Sequence, residues 1–253
     1  TKTYVKECNN FKFQLKYGFL LNHLYIFFIS ISYKFTSKLI SVSNSLKKQL
    51  CNILFINPNK IFTIYNSIDC FEIKRKSKEH YKNIFNNNHK TIISVGKLKK
   101  QKNFVNLIKA FDFLNAKGKK INLIIVGSGP EKKRLQQLIS MFKLSEKFKI
   151  ISETLNPYKY MINSELYVLS SDYEGNPNVI LEALCLQMKI VSTNCDFGPS
   201  EILKNGKYGT LVKTNNYQDL AKGINLKLKS NKSDHYPYFK KFSIEHVAKE
   251  YIK

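Results

Sequence analysis

The sequence has no tryptophan, only two arginines (Arg75 and Arg134) and only 18 acidic residues among 253. Lysine therefore supplies almost all of the formal net charge of +24. Most nucleic-acid-binding proteins depend on arginine for bidentate contacts to bases and phosphates. Because the lysines are spread along the chain, we interpret most of the charge as solvated surface and predict no nucleic-acid partner. A basic nucleic-acid-binding protein remains an alternative that only the charge supports.

Cysteine and histidine are too few and too scattered for a metal site. The five cysteines are odd in number and contain no CxxC pair, and the five histidines show no ligand spacing. We therefore predict reduced thiols in a cytoplasmic compartment, with neither a zinc site nor a disulfide framework. The cysteines are Cys8, Cys51, Cys70, Cys185 and Cys195.

No hydrophobic run is long enough to cross a membrane. The longest, "GFLLNHLYIFFISIS" at residues 18–32, contains Asn22 and His23 and is shorter than the ~20 apolar residues that a spanning helix needs. We predict a buried or interfacial helix that leads into a strand. The sequence opens on Thr1 without a cleavable signal pattern, which suggests a fragment of a longer protein.

Strands that are apolar throughout alternate with helical segments from about residue 91 onward. This rhythm is typical of a doubly wound α/β domain with a parallel, Rossmann-like sheet that helices cover on both faces. Ligands of such sheets bind at the carboxyl ends of the strands. The apolar runs are residues 91–96, 121–129, 148–152, 166–171 and 189–194.

Two loops at strand ends contain residues suited to a phosphate ligand. In "VGSGPEKKRL", Gly127 and Gly129 could open a dinucleotide fingerprint, but its third glycine position is Lys132. A side chain there would prevent close helix–strand packing, so we do not predict a nicotinamide site. The stretch is either only a tight strand-to-helix turn or a turn where a phosphate or sugar passes close to the backbone. In "VGKLKKQKN", Lys97 and Lys102 could neutralise a diphosphate leaving group, although the chain is rich in lysine throughout.

The stretch "EGNPNVILEAL" places Glu174 and Glu182 on either side of a predicted helix entrance. We predict Asn176 as the N-cap and Pro177 as the first helical residue. The free backbone N–H groups of Asn178 and Val179 would then point out of the helix towards an anion. A capped helix with two incidental acidic residues is the alternative.

Several of these stretches together resemble retaining glycosyltransferases of family 4, which have the GT-B fold. "SSDYEGNPNVILEAL" is similar to their E-x7-E signature, and "ISVGKLKKQKNFVNLIKAF" is similar to their G-R-L-x-x-x-K-G/N loop and helix. The stretches "LIIVGSGPEKKRLQQLI" and "STNCDFGPSEILKNGKYGTLV" are similar to later elements of the family, in the same order. The resemblance covers roughly residues 35–252.

The resemblance implies a nucleotide-diphosphate sugar as donor, most often a UDP-sugar, with no metal or other cofactor. It implies that Glu174 contacts the transferred sugar, that Glu182 contacts the ribose and that Lys102 neutralises the diphosphate. Lys97 stands where the family usually has arginine. The remaining residues that the resemblance assigns to donor binding are Gly96, Gly129, Ser152, Thr154, Gly175, Asn176, Pro177, Asn178 and Val179.

By the same resemblance, residues 91–230 are the donor-binding domain and 71–90 a linker. Residues 1–70 resemble the end of the N-terminal acceptor-side domain, and 231–253 the C-terminal helix that packs back on it. We predict transfer of a hexose or N-acetylhexosamine to a hydroxyl of a surface glycan, lipopolysaccharide or lipid-linked glycan. We expect this to take place at the cytoplasmic face of a membrane, in peripheral contact with anionic lipid. The alternative is a non-catalytic nucleotide-sugar-binding remnant, because a glycine-rich acceptor-side loop is absent from the sequence.

Overall fold

The computed structural model describes residues 3–7, 19–85, 87–152, 154–231 and 236–252. Cys8, which enters the analysis above, lies outside these residues. The described part of the chain contains two parallel sheets, one of three strands and one of six.

The smaller sheet contains the strands β1 (Tyr4–Glu7), β2 (Lys38–Ser41) and β3 (Ile61–Thr63), paired in parallel in the order β1-β2-β3. Two helices accompany it: α1 (Phe19–Lys34) and α2 (Asn44–Leu54). Their shared core is aliphatic because α2 repeats leucine at helical spacing on one face. The buried members are Leu39, Val42, Leu46, Leu50, Leu54, Ile56 and Ile61.

Helix α1 leaves much of its apolar surface exposed. Leu21, Phe27 and Phe28 are each more than half exposed, while Ile26, Ile29 and Tyr33 pack against the core of the small sheet. Among the described residues, no helix has both the length and the apolar character that crossing a bilayer requires. The helix predicted in this stretch is present, and one side of it packs against the small sheet.

The larger sheet has six strands in the order β6-β5-β4-β7-β8-β9, all of them parallel. This confirms the predicted doubly wound α/β domain. The strands are β4 (Lys90–Val95), β5 (Ile121–Val126), β6 (Phe148–Ile151), β7 (Leu166–Leu169), β8 (Lys189–Thr193) and β9 (Thr210–Val212).

Helices cover both faces of this sheet, and one apolar core lies on each face. Strands β5, β7 and β8 are buried at every position, as expected when neither face meets water. The helices that follow the strands are α4 (Phe104–Ala116), α5 (Lys132–Met141), α6 (Tyr158–Ile162), α7 (Asn178–Cys185), α8 (Pro199–Ile202) and α9 (Tyr217–Lys229).

The strand order reverses between β4 and β7. Strands β5 and β6 extend the sheet on the β4 side, and β8 and β9 extend it on the β7 side. The loops that leave β4 and β7 therefore diverge, and a crevice opens between them at the carboxyl ends of the strands.

Helix α3 (Cys70–Ser77) joins the two sheets, and Cys70 forms a disulfide with Cys185 at the end of α7. This corrects the prediction of reduced thiols, while Cys51 and Cys195 are free. The two bonded cysteines are 115 residues apart in sequence, so only the tertiary packing of α3 on α7 brings them together.

The last described segment returns to the small sheet. It contains α10 (Tyr236–Phe239), a 3-10 turn (Lys240–Phe242) and α11 (Ile244–Ile252). Val247 of α11 packs against Ile40 and Ile64. The domain boundaries given above stay a prediction.

Candidate functional site

The site lies where the loops after β4 and β7 face each other. Gln101 Nε2 donates a hydrogen bond to the carbonyl oxygen of Tyr173 at 2.9 Å, and the backbone N–H of Asp172 donates to the carbonyl oxygen of Gln101 at 2.9 Å. Ser170 Oγ donates to the carbonyl oxygen of Lys102 at 2.8 Å. These bonds hold the two loops against each other and fix the backbone on which the charged side chains stand.

Lys102 and Glu174 form a buried ion pair between these loops. Lys102 Nζ lies 2.6 Å from Glu174 Oε1, and the two side chains are 17% and 8% exposed. Ser171 Oγ donates to the same carboxylate oxygen at 2.6 Å. A charge pair so far removed from water requires hydrogen-bonded geometry of this kind, because each ion loses solvation when it is buried.

The electrostatic influence of the pair reaches Cys195, which follows β8. Burial, with a smaller effect from the charge of Glu174, raises the pKa of the Cys195 thiol to about 12. Cys195 is therefore a neutral, buried side chain beside the site and not a thiolate nucleophile.

Helix α7 begins one residue later than the sequence predicted. Pro177 occupies the N-cap position and Asn178 is the first helical residue. Asn176 does not cap the helix: its Oδ1 accepts no hydrogen bond from the described residues, while its Nδ2 donates to the carbonyl oxygen of Val42, at the end of the small sheet, at 2.8 Å. The first hydrogen bond of the turn runs from Ile180 N–H to the carbonyl oxygen of Pro177, so the N–H groups of Asn178 and Val179 precede the hydrogen-bonded part of the helix.

Gly198 closes one side of this helix entrance. A Cβ on Gly198 would lie 2.5 Å from Pro177 Cδ and 3.0 Å from the carbonyl oxygen of Gly175, and its φ is +88°. Only glycine allows both this backbone conformation and this close approach. The loop after β8 is thereby held against the residues that precede α7.

Glu182 lies four residues into α7, where the Tyr158 hydroxyl of α6 donates a hydrogen bond to it. Burial raises the pKa of Glu182 to about 7. The buried Tyr167 of β7 lies close enough to Glu174 and Glu182 for both charges to act on its hydroxyl, although burial is the larger cause of its raised pKa. The two glutamates of the predicted motif therefore share one neighbour behind the helix entrance.

The glycine turns after β4 and β5 pack directly on each other. A Cβ on Gly127 would lie 2.0 Å from the carbonyl oxygen of Gly96, and a Cβ on Gly129 would lie 2.6 Å from the carbonyl oxygen of Leu98. A Cβ on Gly96 would lie 3.3 Å from Lys102 Cε. The predicted tight turn is present, and it supports the loop that carries Lys102.

The other predicted site residues lie in neighbouring loops. Lys97 is exposed immediately after Gly96. Ser152 Oγ accepts a hydrogen bond from Lys132 Nζ at 3.0 Å, and Thr154 Oγ1 accepts one from the backbone N–H of Asn156 at 3.2 Å. Ser152 and Thr154 follow β6 at the same sheet edge, two strands away from β4.

Sequence reasoning assigned no role to Ser171, Tyr158 or Glu201, each of which contacts a charged group or a helix end. None belongs to a periodic pattern, and their partners are distant in sequence except for the Ser171–Glu174 pair. In the part of the chain that is described, histidine, cysteine and carboxylate side chains form no cluster of three that could hold a metal ion.

Residues 74–241 match the family model described as "Glycosyl transferases group 1". A Campylobacter jejuni N-acetylgalactosamine-N,N'-diacetylbacillosaminyl-diphospho-undecaprenol 4-alpha-N-acetylgalactosaminyltransferase is 32% identical over 206 residues, which are 81% of this chain and 54% of the relative. The amylovoran biosynthesis glycosyltransferase of Erwinia amylovora is 32% identical over 132 residues, 52% of this chain and 37% of the relative. The chain spans about half or less of the length of these curated relatives.

Solved structures are similar over nearly the whole chain. Anabaena HepE in complex with UDP and glucose superposes with a TM-score of 0.82 at 17% identity, covering 99% of this chain and 70% of that one. Staphylococcus aureus TarM, in a complex that contains UDP, gives 0.78 at 19% identity, covering 99% and 50%. These similarities confirm the predicted GT-B fold.

Proposed function

Because the chain belongs to the group 1 glycosyl transferases, we propose that it supplies the donor half of a retaining glycosyltransferase of family 4, with Glu174 and Glu182 as the E-x7-E pair. The transferred group would be a hexose or an N-acetylhexosamine, and the donor a nucleotide-diphosphate sugar. The single observation that carries this proposal is the buried Lys102–Glu174 pair beside the entrance of α7.

A diphosphate fits this position for electrostatic reasons. The N-terminal end of a helix carries a partial positive charge and presents free N–H groups. Lys102 supplies a full positive charge, part of which Glu174 offsets, and the exposed Lys97 can add a second when a ligand is bound. In a partly buried site these charges would stabilise the negative charge that develops on the leaving diphosphate.

The proposed glycosyl transfer balances in bonds, charge and protons without a further reactant. The bond between the anomeric carbon and the diphosphate oxygen breaks, and its electron pair remains on the diphosphate. The acceptor hydroxyl oxygen bonds to the anomeric carbon from the same face, and its proton passes to the leaving diphosphate oxygen. We propose that no metal or other cofactor is needed, since lysine and helix N–H groups supply the positive charge.

The donor-binding residues have distinct roles in this proposal. Glu174 would hold the transferred sugar, and Glu182 would accept hydrogen bonds from the ribose hydroxyls. The backbone of residues 175–179 would line the sugar and the phosphates, with Gly96 and Gly129 allowing close approach at the opposite wall. The loop that contains Ser152 and Thr154 would lie against the base.

UDP is the nucleotide that we expect. The structures of HepE and TarM that resemble this chain were solved with UDP, which supports the expectation. The name of the Campylobacter jejuni relative specifies a sugar acceptor attached to diphospho-undecaprenol. We propose an acceptor of that class, a glycan or lipid-linked glycan destined for the cell surface.

A lipid-linked acceptor would place the protein at the cytoplasmic face of a membrane. Helix α1 could provide peripheral contact, since Phe27 and Phe28 are 58% and 63% exposed and the chain carries a net charge of +24. Co-sedimentation with vesicles at physiological salt tests this contact. We expect binding to vesicles that contain anionic lipid and weaker binding to neutral ones; equal binding to both would contradict it.

Isothermal titration with UDP, GDP and ADP tests the donor site. We expect one nucleotide to bind wild-type protein, with UDP the expected one, and Glu182→Ala to weaken that binding at least tenfold. Addition of EDTA should leave the affinity unchanged. Glu146→Ala, a substitution of an exposed residue before β6, is the matched control and should bind like the wild type.

The outcomes separate the alternatives. Nucleotide binding together with sugar transfer to a lipid-linked acceptor supports the enzyme. Binding without transfer by this chain supports the non-catalytic nucleotide-sugar binder instead. No binding of any nucleotide would contradict the proposed donor site.

A further inference from the structure

Glu201, in the short helix α8, makes a set of contacts across the cleft between the two sheets. Its carboxylate oxygens accept hydrogen bonds from the backbone N–H of Asn44 at 2.9 Å and that of Ser45 at 3.3 Å. Ser45 Oγ donates to it at 3.2 Å and the hydroxyl of Tyr65 at 2.5 Å. The four donors lie in α2 or just after β3 of the small sheet, whereas Glu201 lies in α8, which follows β8 of the large sheet.

The two N–H groups are those of the first two residues of α2. Ser43 caps the same helix by accepting a hydrogen bond from the N–H of Leu46 at 3.1 Å. The carboxylate of Glu201 therefore satisfies orphan donors that the local sequence leaves open, and it lies at the positive end of the helix. A contact of this kind couples the orientation of α2 to the position of α8.

Two further contacts connect the same part of the small sheet to the entrance of α7. The carbonyl oxygen of Val42, one residue before the cap of α2, accepts the hydrogen bond from Asn176. Asn66, the residue after Tyr65, donates from Nδ2 to Asn178 Oδ1 at 2.7 Å. Tyr65, which bonds to Glu201, is thus next in sequence to Asn66, which bonds to the first residue of α7. The start of α2, which also bonds to Glu201, is next to Val42, which bonds to Asn176.

We propose that Glu201 is a positioning residue, a latch that holds the carboxyl edge of the small sheet at a set distance from the entrance of α7. The cleft next to it, about 360 Å³ in volume, is lined by residues of both sheets, among them Lys48 and Gly198. Under the proposed function the acceptor enters through this cleft, so a change in its width changes transfer more than donor binding. This functional consequence rests on the proposed function, whereas the latch itself does not.

The charge of Glu201 contributes to the strength of the latch. Hydrogen bonds to an ionised acceptor are about twice as strong as neutral ones. The bonds from Tyr65, Asn44 and Ser45 lower the pKa of Glu201 against the opposing effect of burial. The ammonium group of Lys241, which lies 5.1 Å from the ring centre of Tyr65, adds a favourable charge on the same side.

Hydrogen exchange resolved to single amides tests the latch without any assay of activity. In Glu201→Gln, we expect the amides of Asn44 and Ser45 to exchange at least tenfold faster than in the wild type, because a neutral amide replaces the carboxylate. Tyr65→Phe, which removes one donor and keeps the ring, should accelerate them less. Ser200→Ala is the matched control, since Ser200 Oγ donates only locally to Asn205 Oδ1 at 2.7 Å, and it should exchange like the wild type.

Kinetics with the nucleotide sugar test the positioning role. We expect Glu201→Gln to lower kcat about tenfold while the dissociation constant of UDP changes less than about threefold. Unchanged exchange at Asn44 and Ser45 in Glu201→Gln would overturn the latch. Faster exchange with unchanged kcat would overturn its role in transfer. If wild-type protein neither bound nucleotide nor transferred sugar, the proposed function would fail, while the exchange rates would still decide the latch.

Discussion

At the scale of single residues, the site depends on one buried cation facing one buried anion. Lys102 and Glu174 come from loops 72 residues apart, and each offsets part of the cost of burying the other. Breaking such a pair from one side leaves an uncompensated buried charge, which is usually more costly than replacing both partners.

We therefore expect Lys102→Met to lower the free energy of unfolding by about 3 kcal/mol. The double variant Lys102→Met/Glu174→Gln should recover part of that loss, because no carboxylate then remains without its cation. Lys97→Met, in the same loop but exposed, is the control and should change stability by less than about 0.5 kcal/mol. Urea unfolding measures all three, and a double variant less stable than Lys102→Met would contradict the coupling.

Glu182 provides a prediction about pH. Its pKa of about 7 in the folded protein lies above the ordinary value of 4.5, so the folded protein loses stability as pH rises from the lower value through the higher one. Ribose hydroxyls donate to the ionised carboxylate, so nucleotide binding should strengthen over the upper part of that range.

Between pH 6 and pH 8 we expect UDP affinity to rise several-fold, by at most about tenfold. Calorimetric titration at several pH values measures this rise, and Glu182→Gln should make the affinity nearly independent of pH. An affinity that fell with pH in the wild type would show that the neutral carboxyl is the binding form.

At the scale of elements, the turn between β5 and α5 depends on glycine for contact reasons. The absent side chain of Gly127 leaves the space that the carbonyl oxygen of Gly96 occupies. This contact fixes the position of the loop after β4 relative to the turn after β5. It therefore supports the loop that presents Lys102.

Gly127→Ala should therefore destabilise the protein by about 3 kcal/mol or prevent folding, because the added Cβ meets backbone rather than a flexible side chain. Gly118→Ala is the matched comparison: its φ is +73°, and a Cβ there meets nothing within 4 Å. The cost at Gly118 should be about 1 kcal/mol, from backbone conformation alone. Thermal unfolding distinguishes the two, and equal losses would contradict the contact argument.

At the scale of the whole molecule, the Cys70–Cys185 disulfide joins the connecting helix α3 to the end of the donor helix α7. The bond closes a segment that contains most of the large sheet. A crosslink of this length restricts the unfolded chain strongly in the chain-entropy model.

Cys70→Ser should lower the free energy of unfolding by about 2–4 kcal/mol. Reductant should lower the free energy of unfolding of the wild type by a similar amount and leave that of Cys70→Ser/Cys185→Ser unchanged. Peptide mapping after alkylation in denaturant, without reductant, should label the free thiols Cys51 and Cys195 but not the bonded pair. Labelling of Cys70 in the untreated protein would contradict the crosslink.

The sequence alone determined the alternation of strands and helices, the parallel Rossmann-like sheet and the edge at which ligands bind. These follow from local causes: apolar runs bounded by glycine and polar turns, and helical spacing of leucine and isoleucine. The family resemblance rested on the same local stretches. It also placed Lys102 and Glu174 in the loops that the structure brings together.

Only the tertiary structure decided which residues from different parts of the chain contact each other. Asn176 has the side chain of a good N-cap, but its Nδ2 donates to a carbonyl oxygen 134 residues away, its Oδ1 accepts no hydrogen bond from the described residues, and the helix begins one residue later. Cysteine spacing indicated free thiols, yet packing of α3 against α7 brings two of them into bonding distance. The contacts of Glu201 with α2 are of the same kind, because hydrogen-bond and disulfide partners depend on distances in space, which a pattern along the chain does not contain.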